Sequence, residues 1–375
     1  MDGWRVEVIK GRDLDASLGV AWEELRRNIP EVRSPFFACE YMRIMAAQRD
    51  DVEIGVIRRE GRVVGFFPFQ RTGRTAIPIG GSLTDFQGVV IHGEDPLSPA
   101  ELLRGCRLNS WSFRYLTHGW SALEPFRYRR LRSPVIGLAE GFATFERSLA
   151  SRGSDLMHKS NRSLRSLAKK VGPVRFELDC RSPECLNRLL TWKAQQHRSQ
   201  GAHFTFDEPW ARAAVDRIAN THRPDFSGLV SCLYFGDHFV GGMLGLRSGP
   251  TLHAWVTSYD PEFSKFSPGL HVFVQLIRAA ANAGVTRLDL GHGDEPFKYR
   301  LTSELDEVAE GCVDRRVLTG WAHRCLYQAR RHVLDSSIRP WIQRLKQRGR
   351  KLRARFAAPV DARPADLKSG EDGDG

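Results

Sequence analysis

Ser267-Pro268-Gly269-Leu270, the apolar run that follows it, and Arg287-Leu288-Asp289-Leu290-Gly291-His292-Gly293-Asp294-Glu295-Pro296-Phe297-Lys298 decide how this chain folds. Leu270, Phe273, Val274, Ile277 and Ala281 recur at helical spacing, Pro268 suits a first helical position and Gly284 a stop, so a helix fills the gap. Ser267 is its expected N-cap, the hydroxyl accepting a backbone N–H. Upstream, residues 229–235 and 239–246 are apolar, β-branched runs joined by Gly236-Asp237, which spells a tight hairpin. Residues 252–259 form a third strand closed by Asp260-Pro261, and 262–267 read as a loop.

A strand over 287–290, reached through a crossover helix, runs parallel to the strand over 252–259. Ligands of such sheets sit beyond the C-terminal strand ends. The free N–H groups at a helix start formed by Ser267, Pro268, Gly269 and Leu270 favour a phosphate, with Gly269 permitting close approach, although many such starts bind nothing. The loop over 291–296 holds Asp294 and Glu295, preceded by Asp289 and followed by Lys298. These are candidates for a general base and its electrostatic support, and equally the residues of a solvated, ion-paired loop. His271 and His292 are read either as bases or as structural histidines.

The run Ser267-Pro268-Gly269-Leu270, then Asp289, Gly291, Gly293-Asp294-Glu295, Phe297-Lys298 and Arg300, resembles the CelD/BcsL-like branch of the GNAT acyltransferase superfamily, whose members are also similar to the FemAB peptidyltransferases. Trp192-Lys193, His197, Arg198 and Gly201 suit the helix before the hairpin in that family, and a looser likeness covers 6–317. The resemblance implies a mixed α/β fold of tandem GNAT-like domains. It further implies an acetyl-CoA or other acyl-CoA co-substrate between splayed parallel strands, with its pyrophosphate at Ser267, Pro268, Gly269 and Leu270. Asp294 or Glu295 then serves as base toward an amine or hydroxyl, such as a sugar intermediate of exopolysaccharide or envelope synthesis. N–H groups of 252–259 polarise the thioester, Lys298 neutralises phosphates or positions the carboxylates, and Tyr299 protonates the thiolate. The Arg- or Gln-led, Gly-rich phosphate loop of the wider superfamily is absent. Two alternatives stand beside this reading: aminoacyl transfer from charged tRNA, as the FemAB likeness implies, and a non-catalytic scaffold of a synthase complex.

The N-terminal half repeats the plan. Residues 52–58 and 63–69 form a hairpin through Gly61, followed by strand-like 88–91, a helix over 99–108 and a strand over 113–116. The expected divisions are therefore 1–152, 153–318 with the donor site, a basic helix over 319–356 and a disordered tail over 357–375. Between the halves, residues 154–171 form a helix with Leu156, Leu164, Leu167 and Val171 on one face and Lys159, Arg162, Arg165, Lys169 and Lys170 around the rest.

The 375 residues, 41% of them hydrophobic, suffice for two well-filled cores. No apolar segment approaches a membrane span and the N-terminus lacks a secretory pattern, so a cytoplasmic protein is expected. The formal charge of +12 is concentrated in 321–356, which holds eleven Lys and Arg against Asp335 alone. With its apolar stripe this helix either docks on its own domain or meets an anionic membrane surface at the inner face, with nucleic acid the least expected partner. Seven cysteines at scattered spacing fit a reducing compartment, and neither Cys180 with Cys185 nor Cys312 with Cys325 has metal-ligand spacing, so no metal is expected.

Overall fold

Hairpins build this molecule from both ends. The computed structural model describes residues 3–94, 96–293, 295–316 and 325; the helix expected over 319–356, except Cys325, the tail over 357–375, and Asp294 lie outside them. In chain order the first half comprises β1 (Trp4–Lys10), α1 (Ala16–Arg27), α2 (Cys39–Gln48), β2 (Val52–Arg59), β3 (Arg62–Thr72), β4 (Thr75–Ile77), β5 (Val90–Ile91), α3 (Pro99–Gly105), β6 (Ser110–Thr117), β7 (Arg127–Gly137) and α4 (Gly141–Ser151). The second comprises α5 (Leu156–Lys170), β8 (Val174–Glu177), α6 (Pro183–Ser199), α7 (Pro209–Ala219), β9 (Ser227–Phe235), β10 (His238–Ser248), β11 (Thr251–Tyr259), α8 (Pro268–Asn282), β12 (Arg287–Asp289), α9 (Pro296–Leu301) and β13 (Glu304–Asp314).

The strands join one mixed sheet in the order β1-β2-β3-β4-β6-β13-β7-β12-β11-β10-β9-β8, with β5 paired to β3. The halves interleave at its centre. β13, from the end of the second half, lies between β6 and β7, and β7, from the first, lies between β13 and β12. Separating the halves would strip ladder hydrogen bonds from both of those strands. The chain boundary expected at 152/153 falls in the loop between α4 and α5.

α8 is apolar enough to anchor one face of the sheet. Val272, Phe273, Val274, Leu276, Ile277 and Ala280 are buried against Leu233, Met243, Leu252 and Leu288, each large side chain contributing about 1.5–3 kcal/mol of burial free energy. Its start departs from expectation. Residues 262–267 are not an open loop, because a 3-10 turn over Pro261–Phe266, capped by Asp260, delivers the chain to Ser267. Ser267 must reverse direction there and adopts the left-handed region at φ 53°, where its side chain makes no cap hydrogen bond. Its carbonyl accepts instead from the N–H groups of Leu270 at 3.1 Å and His271 at 3.3 Å.

Candidate functional site

β11 and β12 pair in parallel over three positions, Thr251 with Arg287, Leu252 with Leu288 and His253 with Asp289, and then part company. β12 ends there, whereas β11 runs on to Tyr259, held by β10 on its other side. No named strand among the described residues partners 254–259 on the side toward β12. The register slips at Trp255, since Leu244 faces Val256 while Gly245 faces Ala254, and this bulge bends β11 where the pairing stops. Because α8 follows β11 and the loop over 290–295 follows β12, both leave the C-terminal ends of parallel strands, where open α/β sheets receive ligands. The Phe273 and Phe297 rings, 5.1 Å apart, pack the early turns of α8 against α9.

The residues singled out from the sequence take different places around this opening. Ser267, Pro268, Gly269 and Leu270 form the turn into α8, and a Cβ added at Gly269 would meet only the Tyr259 ring at 3.4 Å, an ordinary contact. Glu295 is exposed and pairs with Lys298 at 3.2 Å. Both influence Lys193 on α6, whose ammonium pKa is lowered chiefly by burial, with Glu295 opposing and Lys298 adding to the shift. Asp289 is 1% exposed and ion-paired at 2.9 Å with Arg287, which also reaches Glu304 and Asp306. Burial raises the Asp289 pKa against the pull of Arg287 and His253. The buried Arg287 and Asp289, with the more exposed Asp306 outside them, border a recess of about 120 Å³ that Ser34, Phe86, Thr117 and His118 also line.

Several site residues escaped the sequence reading. His253 on β11 is fully buried and its Nε2 lies 2.9 Å from the Asp85 carboxylate of the first half. Its Nδ1 has no hydrogen-bond partner among the described residues. Phe36 and Phe86 stand edge-on to the imidazole at 5.0 and 5.1 Å. The loop after β12 passes directly over this pair, because a Cβ at Gly291 would meet Asp85 Oδ2 at 3.3 Å and His253 Nε2 at 3.4 Å. Tyr115 on β6, itself in the left-handed region at φ 50°, brings its ring within 4.8 Å of His292. Burial raises the Tyr115 pKa, and Asp85 adds to it. The Ser82 and Thr205 hydroxyls, 2.6 Å apart, join the halves at the surface. No local periodicity in the sequence links Asp85 to a histidine so far along the chain.

His271 takes the structural alternative. Its ring sits in the core, with Nδ1 2.7 Å from the Ser160 hydroxyl and Nε2 3.2 Å from that of Ser163, fastening α5 to α8. Burial lowers its pKa to about 4, so the ring is neutral at pH 7.

No curated protein matches this chain. Residues 154–299 match the family model described as Acetyltransferase (GNAT) domain. Among solved structures, L-PGS from Bacillus licheniformis aligns at a TM-score of 0.51 and 11% identity, covering 84% of this chain and 95% of that one. The C-terminal domain of an Agrobacterium fabrum protein named as a lysylphosphatidylglycerol synthetase aligns at 0.50 and 14% identity, over 84% and 97%. FemX aligns at 0.50 and 10% identity, over 78% and 94%. At these identities the likeness is one of fold. The chain therefore has the mixed α/β sheet of the GNAT acyltransferase fold, with residues 154–299 similar to the GNAT acetyltransferase domain.

Proposed function

We propose that this protein transfers an acyl group from an acyl-CoA thioester to an amine or hydroxyl acceptor. The observation that carries the reading is the parting of β11 and β12 after His253 and Asp289, which leaves the 254–259 edge open beside the turn into α8. In this account the extended arm of the donor lies along that edge as a substitute strand. Its pyrophosphate meets the start of α8 at Ser267, Pro268, Gly269 and Leu270, where the helix dipole and the Gly269 N–H favour an anion, the N–H groups of Ser267 and Leu270 being bonded within the turn. Backbone N–H groups of 254–259 polarise the thioester carbonyl.

The acceptor atom attacks that carbonyl, its proton passes to Asp294 or Glu295, and the C–S bond breaks as the tetrahedral intermediate collapses. Tyr299 or solvent protonates the leaving thiolate. Lys298 and Lys193 supply positive charge near Glu295, while the Asp85–His253 pair holds the floor of the opening under Gly291. The acceptor assigned here is a sugar intermediate of exopolysaccharide or envelope synthesis, reached at the inner membrane face through 321–356 in a cytoplasmic protein. In this proposal the chain divides at 152/153 into two GNAT-like units. Among the described residues no helix is long and apolar enough to cross a membrane.

One observation favours a second donor. Lys159, Arg162, Arg165, Lys169 and Lys170 are all exposed along α5, a face suited to the backbone of a charged tRNA. Titration of the full chain with CoA, acetyl-CoA and tRNA at rising salt separates the two. The acyl-CoA reading expects a thermal shift with CoA that persists in salt. Binding of tRNA alone, lost steeply with salt, overturns it.

A further inference from the structure

Two thiols five residues apart meet a third, distant in sequence, inside the second half. Cys180 follows β8, Cys185 lies in the first turn of α6, and Cys232 sits on β9 opposite Glu177. The Sγ atoms of Cys180 and Cys185 are 3.3 Å apart, and all three sulfurs lie within 4.8 Å of one another. Their residues are 7%, 7% and 0% exposed, and none is in a disulfide. Leu186, Leu189, Phe239 and Leu244 belong to the same apolar cluster.

We propose that Cys180, Cys185 and Cys232 form a binding site for a thiophilic d10 cation, with Zn²⁺ the physiological case. The geometry needs little adjustment. Thiolates at about 2.3 Å from zinc in tetrahedral array stand about 3.8 Å apart, within the separation already present. Sulfur donors in an apolar shell select soft cations over Mg²⁺ or Ca²⁺. The Tyr234 hydroxyl, 3.4 Å from Cys185 Sγ, faces the group as an oxygen donor for a fourth position. Arg175 stacks over the Tyr234 ring at 3.8 Å, placing positive charge beside a site whose three thiolates would outweigh a divalent ion. Binding at such thiols is an exchange of protons for the metal, so it strengthens as pH rises. A recess of about 490 Å³ lined by Cys180, Ser182, Leu186 and Asn187 offers an entry path.

A bound ion would tie the loop after β8 and the start of α6 to β9. α6 carries Lys193 toward Glu295 and Lys298, so the clamp would set the position of one wall of the candidate site. The spacing of Cys180 and Cys185 carries no metal signature by itself. The third ligand arrives only through the β8–β9 pairing.

The test uses the full chain, reduced, stripped with chelator and desalted. Cd²⁺ is titrated while the ultraviolet thiolate-to-metal charge-transfer band is followed, Zn²⁺ competition is measured, and the zinc-loaded mass is sought by native mass spectrometry. One equivalent per chain is expected, displaced by Zn²⁺, with affinity lowered more than about tenfold in C180S and in C232S and unchanged in C106S, which alters a buried cysteine outside the trio. Absence of a stoichiometric band in the wild-type protein overturns the proposal. So does a band that forms in C232S with undiminished affinity, or an air-formed Cys180–Cys185 disulfide in protein that binds no metal after reduction. Because the wild-type titration is decisive alone, a variant that fails to fold does not rescue the idea.

Discussion

Removing the Asp85 carboxylate should expose how much the candidate site depends on a contact between the two halves. His253 is fully buried, and Asp85 Oδ2 at 2.9 Å is the hydrogen-bond partner of its Nε2, Nδ1 already having none among the described residues. Asp85→Ala would leave both ring nitrogens unpaired in a pocket walled by Phe36 and Phe86. An unsatisfied buried polar group costs about 1–3 kcal/mol. Asp85→Asn keeps a hydrogen-bonding group at the same place and should cost less than about 1 kcal/mol. Equilibrium urea denaturation of the wild type and both variants measures the difference, and transfer to acceptor measured alongside should fall in Asp85→Ala because Gly291 rests on the pair. If Asp85→Ala proves as stable as the wild type, the pair is not the buried link described here.

Neutral His271 has a folded pKa of about 4 against about 6.5 in the unfolded chain, so the unfolded state binds more protons between those values. Stability should therefore be full above about pH 6.5 and decline as pH falls toward 4, by on the order of 3 kcal/mol, and His271→Gln should flatten that part of a urea-denaturation pH series. At Gly242 an added Cβ would lie 2.1 Å from the Ser231 carbonyl oxygen, so Gly242→Ala should force β9 and β10 apart and lower stability by about 1–3 kcal/mol in thermal or urea unfolding. The double change Asp294→Asn with Glu295→Gln should reduce turnover by about 10²–10⁴-fold while leaving CoA affinity unchanged. Steady-state kinetics paired with calorimetry tests this, and an unaltered rate would remove both carboxylates from the role of base.

Elements read locally were legible in the sequence, and pairings made across the chain were not. The apolar runs beside Gly236-Asp237 gave β9 and β10, and the helical spacing of Leu270 to Ala281 gave α8, because each signal lies within one turn or one hairpin. The parallel relation of β11 and β12 followed from the intervening helix. By contrast, the insertion of β13 between β6 and β7 rests on ladders such as Val308 with Leu131 and with Thr117, which no periodicity announces. Ser267 looked like a cap because serine before proline usually is one; the 3-10 turn ahead of it imposes a reversal that the residue types do not reveal. The same distance hid the site. Asp85 with His253, and Tyr115 with His292, are joined by the interleaved sheet rather than by any motif. Asp289, chosen for its place just before the loop over 291–296, is committed to Arg287 inside the protein.

Under the proposed function a donor arm occupies the edge β11 leaves open beyond His253. Hydrogen–deuterium exchange of the full chain with and without CoA tests it most directly, because backbone amides in 254–259 that gain a partner must slow. Protection is expected in that segment and at the turn over 267–270. Saturating CoA that leaves both segments unchanged would contradict it.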